Sequence, residues 1–277
     1  MIAAVKSTVT HVIDLPSHAT GGVTAVTSLD DDVFVVRYNS QEVEVYDAAT
    51  LTLLQCLVVP GLGQWPSGLA VCPVNSCLYA SDWNRNRVYR VELLSGSNAV
   101  KKWCVASRPA GLSVNNEHNL IVACYELNKI QEYTTHGSLV REICQQAGVT
   151  RPWHAIQLST GDYVVSHRTS PGVVSVVGID GEVVCSYGQS QTSDVGQMKK
   201  PASLAVTKND DILVADMNNN RILSINSSLG SIQELELSVD GDIYWPQGLC
   251  LDESRGRLYV GELRGEQRVL IFDGVCF

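Results

Sequence analysis

One short pattern returns along the 277 residues and constrains the fold more than any other feature. It reads WPSGLAV at Trp65–Val71, RPAGLSV at Arg108–Val114, RPWHAI at Arg151–Ile156, KPASLAV at Lys200–Val206 and WPQGLCL at Trp245–Leu251. The prolines Pro66, Pro109, Pro152, Pro201 and Pro246 are 43, 43, 49 and 45 residues apart. A sixth copy, GGVTAV at Gly21–Val26, lies 45 residues before Pro66, with Gly21 in the proline's place. An apolar stretch starts 11 or 12 residues after each proline or Gly21, at Val33, Leu78, Leu120, Tyr163, Ile212 and Leu258. A third begins at Val43, Val88, Ile130, Val173, Ile222 and Val269. A fourth closes most repeats, as in LLQCLV at Leu53–Val58.

Each unit therefore reads as four short strands separated by turn signals such as Asp180-Gly181 and Asn218–Asn220. No segment keeps a 3.6-residue apolar period over three turns, so helix content is expected to be minimal. A four-stranded unit cannot bury both of its faces alone, whereas units stacked around an axis bury one another's. The fold class is all-β: a six-bladed β-propeller spanning 1–277, with blades starting near 21, 66, 109, 152, 201 and 246. The sixth unit has only four residues after its third strand, Val269–Asp273. Residues 8–15, with the strand-like stretch Thr8–Ile13, are expected to supply its fourth strand and close the ring.

Composition agrees with one large soluble domain: 45% hydrophobic residues and 18% charged. A net charge of −9 argues against a dedicated nonspecific nucleic-acid binder. No run of 18 apolar residues suggests a membrane span, and the N-terminus does not read as a signal peptide. Nine cysteines without a CxxC pair point to a reducing, cytoplasmic setting, and Asn226-Ser227-Ser228 is a lone glycosylation sequon. Cys56, Cys104, Cys144 and Cys185 fall in fourth strands, where they read as small buried residues.

The fullest copies, WPSGLAV…LYASDWNRNRVYRV (Trp65–Val91) and KPASLAV…ILVADMNNNRILSI (Lys200–Ile225), resemble the NHL repeat. The resemblance covers essentially the whole chain and is strongest in repeats two, five and six. Repeat four departs most, with His167 at the Asp position and Ser170-Pro171-Gly172 for Asn-x-Arg. The chain is most similar to the C-terminal domains of tripartite-motif proteins. That resemblance implies a module that binds protein partners or RNA, with RING, B-box and coiled coil absent. Relatives of the same fold include a zinc-dependent lyase of amidated-peptide biosynthesis and calcium-dependent lactonases, so fold alone does not choose.

Repeat register turns the sequence into rings around the axis. In this family the loops leading into the first strand and those after the second share one face, here the upper face. Before the prolines stand Trp65, Arg108, Arg151, Lys200 and Trp245; after the second strand come Arg37, Asp82, Cys124, His167, Asp216 and Glu262. The next ring is Tyr38, Trp83, Tyr125, Arg168, Met217 and Leu263, and Trp153 and His154 follow Pro152. Four of the five tryptophans thus share one face, and aromatic side chains interleaved with Arg are the composition of binding hot spots. The candidate binding residues are Trp65, Trp83, Tyr125, Trp153, His154, Arg108, Arg151, Arg168, Lys200 and Trp245. Packing and capping between blades is the alternative role for the tryptophans, and Trp103 reads as packing only. Asp82 with Arg87 and Asp216 with Arg221 read as structural ion pairs.

A zinc lyase draws histidines from several blades at the position after the proline, which here holds Ser67, Ala110, Trp153, Ala202 and Gln247. Asp82, Asp216 and Glu262 share their ring with Arg37 and His167, which weakens a lactonase-type calcium site. No GxSxG or Walker sequence occurs. The expectation is a non-catalytic recognition module for a protein or peptide, monomeric by itself, without cofactor or metal. Single-stranded or stem-loop RNA on the same face is the alternative: ten of the twenty basic residues map there, interleaved with Trp and Tyr. A metal-dependent lactonase or lyase is the remote one.

Overall fold

Alternating apolar residues on a two-residue period place one face of each segment against the next blade, and the chain folds into six sheets. The computed structural model describes residues 6–14, 21–93, 98–144, 150–188, 196–239 and 242–275. The N-terminal strand β1 spans Lys6–Ile13. Blade 1 contains β2 (Val23–Leu29), β3 (Asp32–Arg37), β4 (Glu42–Asp47) and β5 (Leu53–Val58). Blade 2 contains β6 (Pro66–Cys72), β7 (Cys77–Asp82), β8 (Arg87–Glu92) and β9 (Val100–Cys104). Blade 3 is β10 (Pro109–Val114), β11 (Leu120–Cys124), β12 (Lys129–Tyr133) and β13 (Leu139–Cys144). Blade 4 is β14 (Pro152–Gln157), β15 (Tyr163–His167), β16 (Val173–Val177) and β17 (Val183–Tyr187). Blade 5 is β18 (Pro201–Val206), β19 (Ile212–Asp216), β20 (Arg221–Ile225) and β21 (Ile232–Glu234), followed by the short β22 (Glu236–Ser238). Blade 6 is β23 (Pro246–Asp252), β24 (Arg257–Glu262) and β25 (Val269–Asp273), completed by β1.

Five inner strands begin at the predicted prolines. The first begins at Val23, two residues after Gly21. Gly21 has φ +139°, and a Cβ there would lie 2.0 Å from the Tyr38 carbonyl oxygen; one on Gly22 would lie 1.8 Å from that of Leu263. Gly21 thus lets the chain pass close to Tyr38 within blade 1, and Gly22 lets blades 1 and 6 approach closely, which no side chain would allow. β1 runs antiparallel to β25, with Ile13 opposite Val269 and Val9 opposite Phe272, as the ring-closure argument requires. Its first residues also pair in parallel with β22, Lys6 opposite Glu236, so β1 additionally ties blade 5 to blade 6.

The inner strands β2, β6, β10, β14, β18 and β23 pack side by side around the axis, and β23 returns to β2. Hydroxyls link them sideways: Ser67 Oγ donates to the Pro109 carbonyl at 2.6 Å and Ser113 Oγ to the Ala155 carbonyl at 2.7 Å. The repeat's Asn occupies the left-handed region at Asn86, Asn128 and Asn220, a conformation Asn tolerates. From there Asn128 Oδ1 accepts the Arg151 N–H at 2.8 Å and Asn220 Oδ1 the Trp245 N–H at 3.0 Å, so each turn holds the start of the next blade.

The fourth strands depart from expectation. Cys104 and Cys144 are exposed, and Cys56 and Cys185 only half-buried. These strands form the outer rim, where blades fan apart and a side chain meets water rather than a neighbour. Trp103 does pack, edge-on to Tyr79 at 6.2 Å and tilted against Tyr133 at 6.1 Å. Cys72 and Cys77 face each other across β6 and β7 as free, buried thiols. The one helical turn among the described residues is Met217–Asn219, and no helix there is long and apolar enough to cross a membrane.

Candidate functional site

The loops before the inner strands and after the second strands meet around the axis and enclose an open cavity of about 560 Å³. Tyr38, Trp65, Trp83, Tyr125, Trp153 and Trp245 give it six aromatic walls, drawn from five blades. Arg168, Arg264, Gln247, Leu263 and Gln267 complete the lining with small residues and backbone. Among the described residues no carboxylate lines it. Below it, the inner strands enclose an axial channel of about 300 Å³, and Thr24, Ser67, Trp153 and Gln247 border both spaces. The upper cavity is therefore a cup seated on the channel mouth.

Most of the ring read from repeat register lines this cup. Tyr38, Trp83, Tyr125, Arg168 and Leu263 all line it, and Met217 touches Arg168 from below the lining. Trp83 and Trp153 are 9% and 8% exposed and form the floor, their rings 5.3 Å apart and both against Tyr125. For these two, packing and cavity lining are the same role. Trp65 is 42% exposed and stands on the lip, edge-on to Tyr38 at 5.1 Å. Trp245, half-buried, lies under the Arg264 guanidinium, 4.1 Å from its ring centroid.

Arg168 lies flat on Trp153, its Cζ 3.3 Å from the ring centroid. Its Nη2 donates to Gln247 Oε1 at 2.9 Å and approaches Met217 Sδ at 3.2 Å, while Nε is sealed from water without an acceptor. Burial pushes the guanidinium pKa down to about 9, which leaves it charged at neutral pH.

The other candidates stand elsewhere. Arg108 is on the rim, 5.6 Å over Trp83 and paired with Glu126 at 3.1 Å. Arg151 and Lys200 are exposed outside the cup, both with left-handed backbones that aim the following proline into its strand. His154 does not join the cup. It faces the channel, where its Nδ1 accepts the Leu204 N–H and its Nε2–H donates to the Leu112 carbonyl, each at 2.9 Å. Repeat register places the residue but not the side its ring faces, because alternate residues of an inner strand point to opposite faces. Repeat register places Arg264 among the ten basic residues of the upper face without singling it out, and gives Gln247 only as a position that lacks a zinc-ligating histidine.

The ring after the second strands is structural throughout. Asp216 accepts the Lys199 N–H at 2.7 Å and pairs with Arg221 at 2.9 Å; Glu262 accepts the Tyr244 N–H at 2.8 Å and pairs with Arg268 at 3.1 Å. Burial raises the pKa of both carboxyls. Asp82 accepts the Gly63 N–H at 2.8 Å but pairs with Arg85, at 3.2 Å, not with Arg87. Arg85 reaches it from within the same turn; blade 5 has the shorter Asn219 at that position, and Asp216 keeps Arg221 as well. His167 donates Nδ1–H to the Thr150 carbonyl at 3.2 Å and accepts from Ser175 Oγ at 2.8 Å. Among the described residues, no three His, Cys, Asp or Glu side chains converge to hold a metal ion.

The NHL-repeat family model matches residues 198–223. No curated protein sequence matches the chain. Solved structures match over nearly its whole length at low identity. A catalytically inactive virginiamycin B lyase from Staphylococcus aureus with quinupristin is 13% identical, covering 96% of this chain and 88% of that one, with a TM-score of 0.68. An auxiliary nutrient binding protein from Bacteroides thetaiotaomicron is 14% identical, covering 91% and 69%, with a TM-score of 0.69. A chain of a nidogen/laminin complex is 14% identical, covering 82% and 83%, with a TM-score of 0.64. At these identities the likeness shows the fold. The chain is a six-bladed β-propeller that carries an NHL repeat at residues 198–223.

Proposed function

We propose that the chain is a non-catalytic recognition module that takes a segment of a partner protein into the aromatic cup. One observation carries this reading: six aromatic side chains and two arginines line a single open cavity on the axis, and among the described residues no carboxylate does. Such a surface offers large apolar contact with little side-chain entropy to lose, plus a few donors that orient the guest. Other features support it. The acidic ring that a catalytic cation would use is engaged in blade-to-loop hydrogen bonds. The resemblance to tripartite-motif propellers and the presence of a nutrient binding protein and a nidogen/laminin complex among similar structures fit a binding role; the lyase among them keeps an enzyme as the rival.

The test is selection from random peptide libraries on the purified chain, followed by Trp65→Ala/Trp245→Ala. Both residues stand at the lip, so their removal leaves the buried floor intact. The expected outcome is a normal melting curve and an affinity lower by at least about thirtyfold, the effect of losing hot-spot aromatics. Selected peptides that bind the double variant undiminished would place recognition elsewhere.

A further inference from the structure

An arginine withdrawn from water needs a counter-charge. Five arginines show how this fold supplies one. Arg37 lies 2.9 Å from Glu44, Arg90 2.8 Å from Glu92, Arg221 2.9 Å from Asp216, Arg257 2.5 Å from Asp273 and Arg268 3.1 Å from Glu262. Arg168 is the exception. Its hydrogen-bond acceptors are neutral, a glutamine oxygen and a thioether sulfur, and its Nε is buried without any. Among the described residues no carboxylate pairs with it or lines its cavity.

The cation is also held in place. Trp153 supports one face of the guanidinium, and Gln247 and Met217 fix one edge. With Nη2 engaged and Nε sealed, Nη1 is the nitrogen left to a guest, and the ordering entropy of the side chain is already lost before one arrives. Around it are apolar walls, and at the lip a second guanidinium, Arg264, also without a carboxylate partner among the described residues.

We propose that the cup recognises an acidic peptide segment, one carboxylate of which docks on Arg168 while a neighbouring aromatic or aliphatic side chain packs against Tyr38, Trp65 and Trp245. This rests on the recognition-module reading and names its ligand. A carboxylate supplies the counter-charge that Arg168 lacks and accepts a charge-assisted hydrogen bond from its remaining nitrogen. A nucleic-acid backbone needs a track of free cations, and on this face Arg37, Arg85, Arg108 and Arg221 are engaged by Glu44, Asp82, Glu126 and Asp216. The carboxylate comes either from an Asp or Glu side chain or from a chain terminus.

Two bead-bound peptide libraries separate these sources: one with free C-termini and no Asp or Glu, the other amidated at the C-terminus with Asp and Glu allowed. The expected outcome is that peptides selected on the unmodified chain carry a carboxylate beside an aromatic or aliphatic residue. Conversion of that carboxylate to the amide then weakens binding on the order of ten- to a hundredfold. In Arg168→Met the acid and amide forms bind equally weakly, and Arg168→Lys restores only part of the difference, because an ammonium keeps the charge but loses the planar guanidinium. Should Arg168→Met fail to fold by circular dichroism, the acid-against-amide comparison on the unmodified chain decides. Peptides that need Trp65 and Trp245 yet bind equally as acid and amide would overturn the carboxylate proposal and leave the recognition module standing. Absence of any cup-dependent peptide from both libraries would overturn both.

Discussion

His154 and His167 are buried imidazoles whose nitrogens are both engaged as the neutral ring requires. His154 joins three blades at once, through Leu112 of β10, its own β14 and Leu204 of β18. Burial pushes the pKa of His154 down to about 4 and that of His167 to about 3, from 6.5. The sign follows from linkage: above pH 6.5 both rings are neutral whether the chain is folded or not. Below it the unfolded chain takes up protons that the folded chain refuses. Stability is therefore full above pH 6.5 and falls as the pH drops toward 4, by about 1.4 kcal/mol per pH unit for each histidine. The raised carboxyls Asp216 and Glu262 act in the opposite sense, so a variant isolates the histidine part. In urea unfolding between pH 7 and 5, His167→Asn is expected to remove about one proton from the uptake on unfolding. An unchanged slope would show that His167 is not buried neutral.

At the scale of the element, β1 carries a load out of proportion to its eight residues. It is the outer strand of blade 6, pairs with β22 of the preceding blade, and buries Ile13 to 3% exposure. Thr10 and Arg257 meet at Asp273, at 2.8 and 2.5 Å, which anchors the closure with polar contacts as well. Removing residues 1–13 would uncover the edges of β25 and β22 and the apolar surface under Ile13. We expect a melting temperature lower by roughly 10 °C, the effect of a few kcal/mol in a domain of this size. A melting curve that does not move would show that the ring closes without the strand.

At the scale of the whole molecule, the charge balance decides between two guests for the same face. The net charge is −9, yet Arg151, Lys199, Lys200 and Arg264 are exposed on the upper side without a carboxylate partner among the described residues. They are the best support for RNA. Four such cations release few counterions, so affinity for a random single-stranded RNA pool is expected to fall by no more than about fiftyfold between roughly 50 and 200 mM salt. A fall of about a thousandfold or more, made severalfold shallower in Arg151→Ala/Lys200→Ala, would give the face to RNA instead.

The architecture was legible before any coordinates because its cause is local. A period of about 45 residues, a proline before each inner strand and a two-residue apolar alternation describe a blade, and a blade needs neighbours on both faces. The same register pointed to Tyr38, Trp83, Tyr125, Arg168 and Leu263 as one ring, since equal repeat positions lie at equal heights on the axis. What register cannot express is direction and partnership. It placed His154 among the upper-face candidates although its ring turns into the channel, and Cys104 and Cys144 in the core although the outer strands face water. It paired Asp82 with Arg87 although Arg85 is nearer. Above all, it treated the arginines of the upper face as alike. Arg37 meets Glu44 and Arg221 meets Asp216 across neighbouring strands of one blade, whereas the surroundings of Arg168 come from other blades. Only the tertiary structure, by closing the ring, brought Gln247 of blade 6 and Met217 of blade 5 to Arg168, and no carboxylate among the described residues.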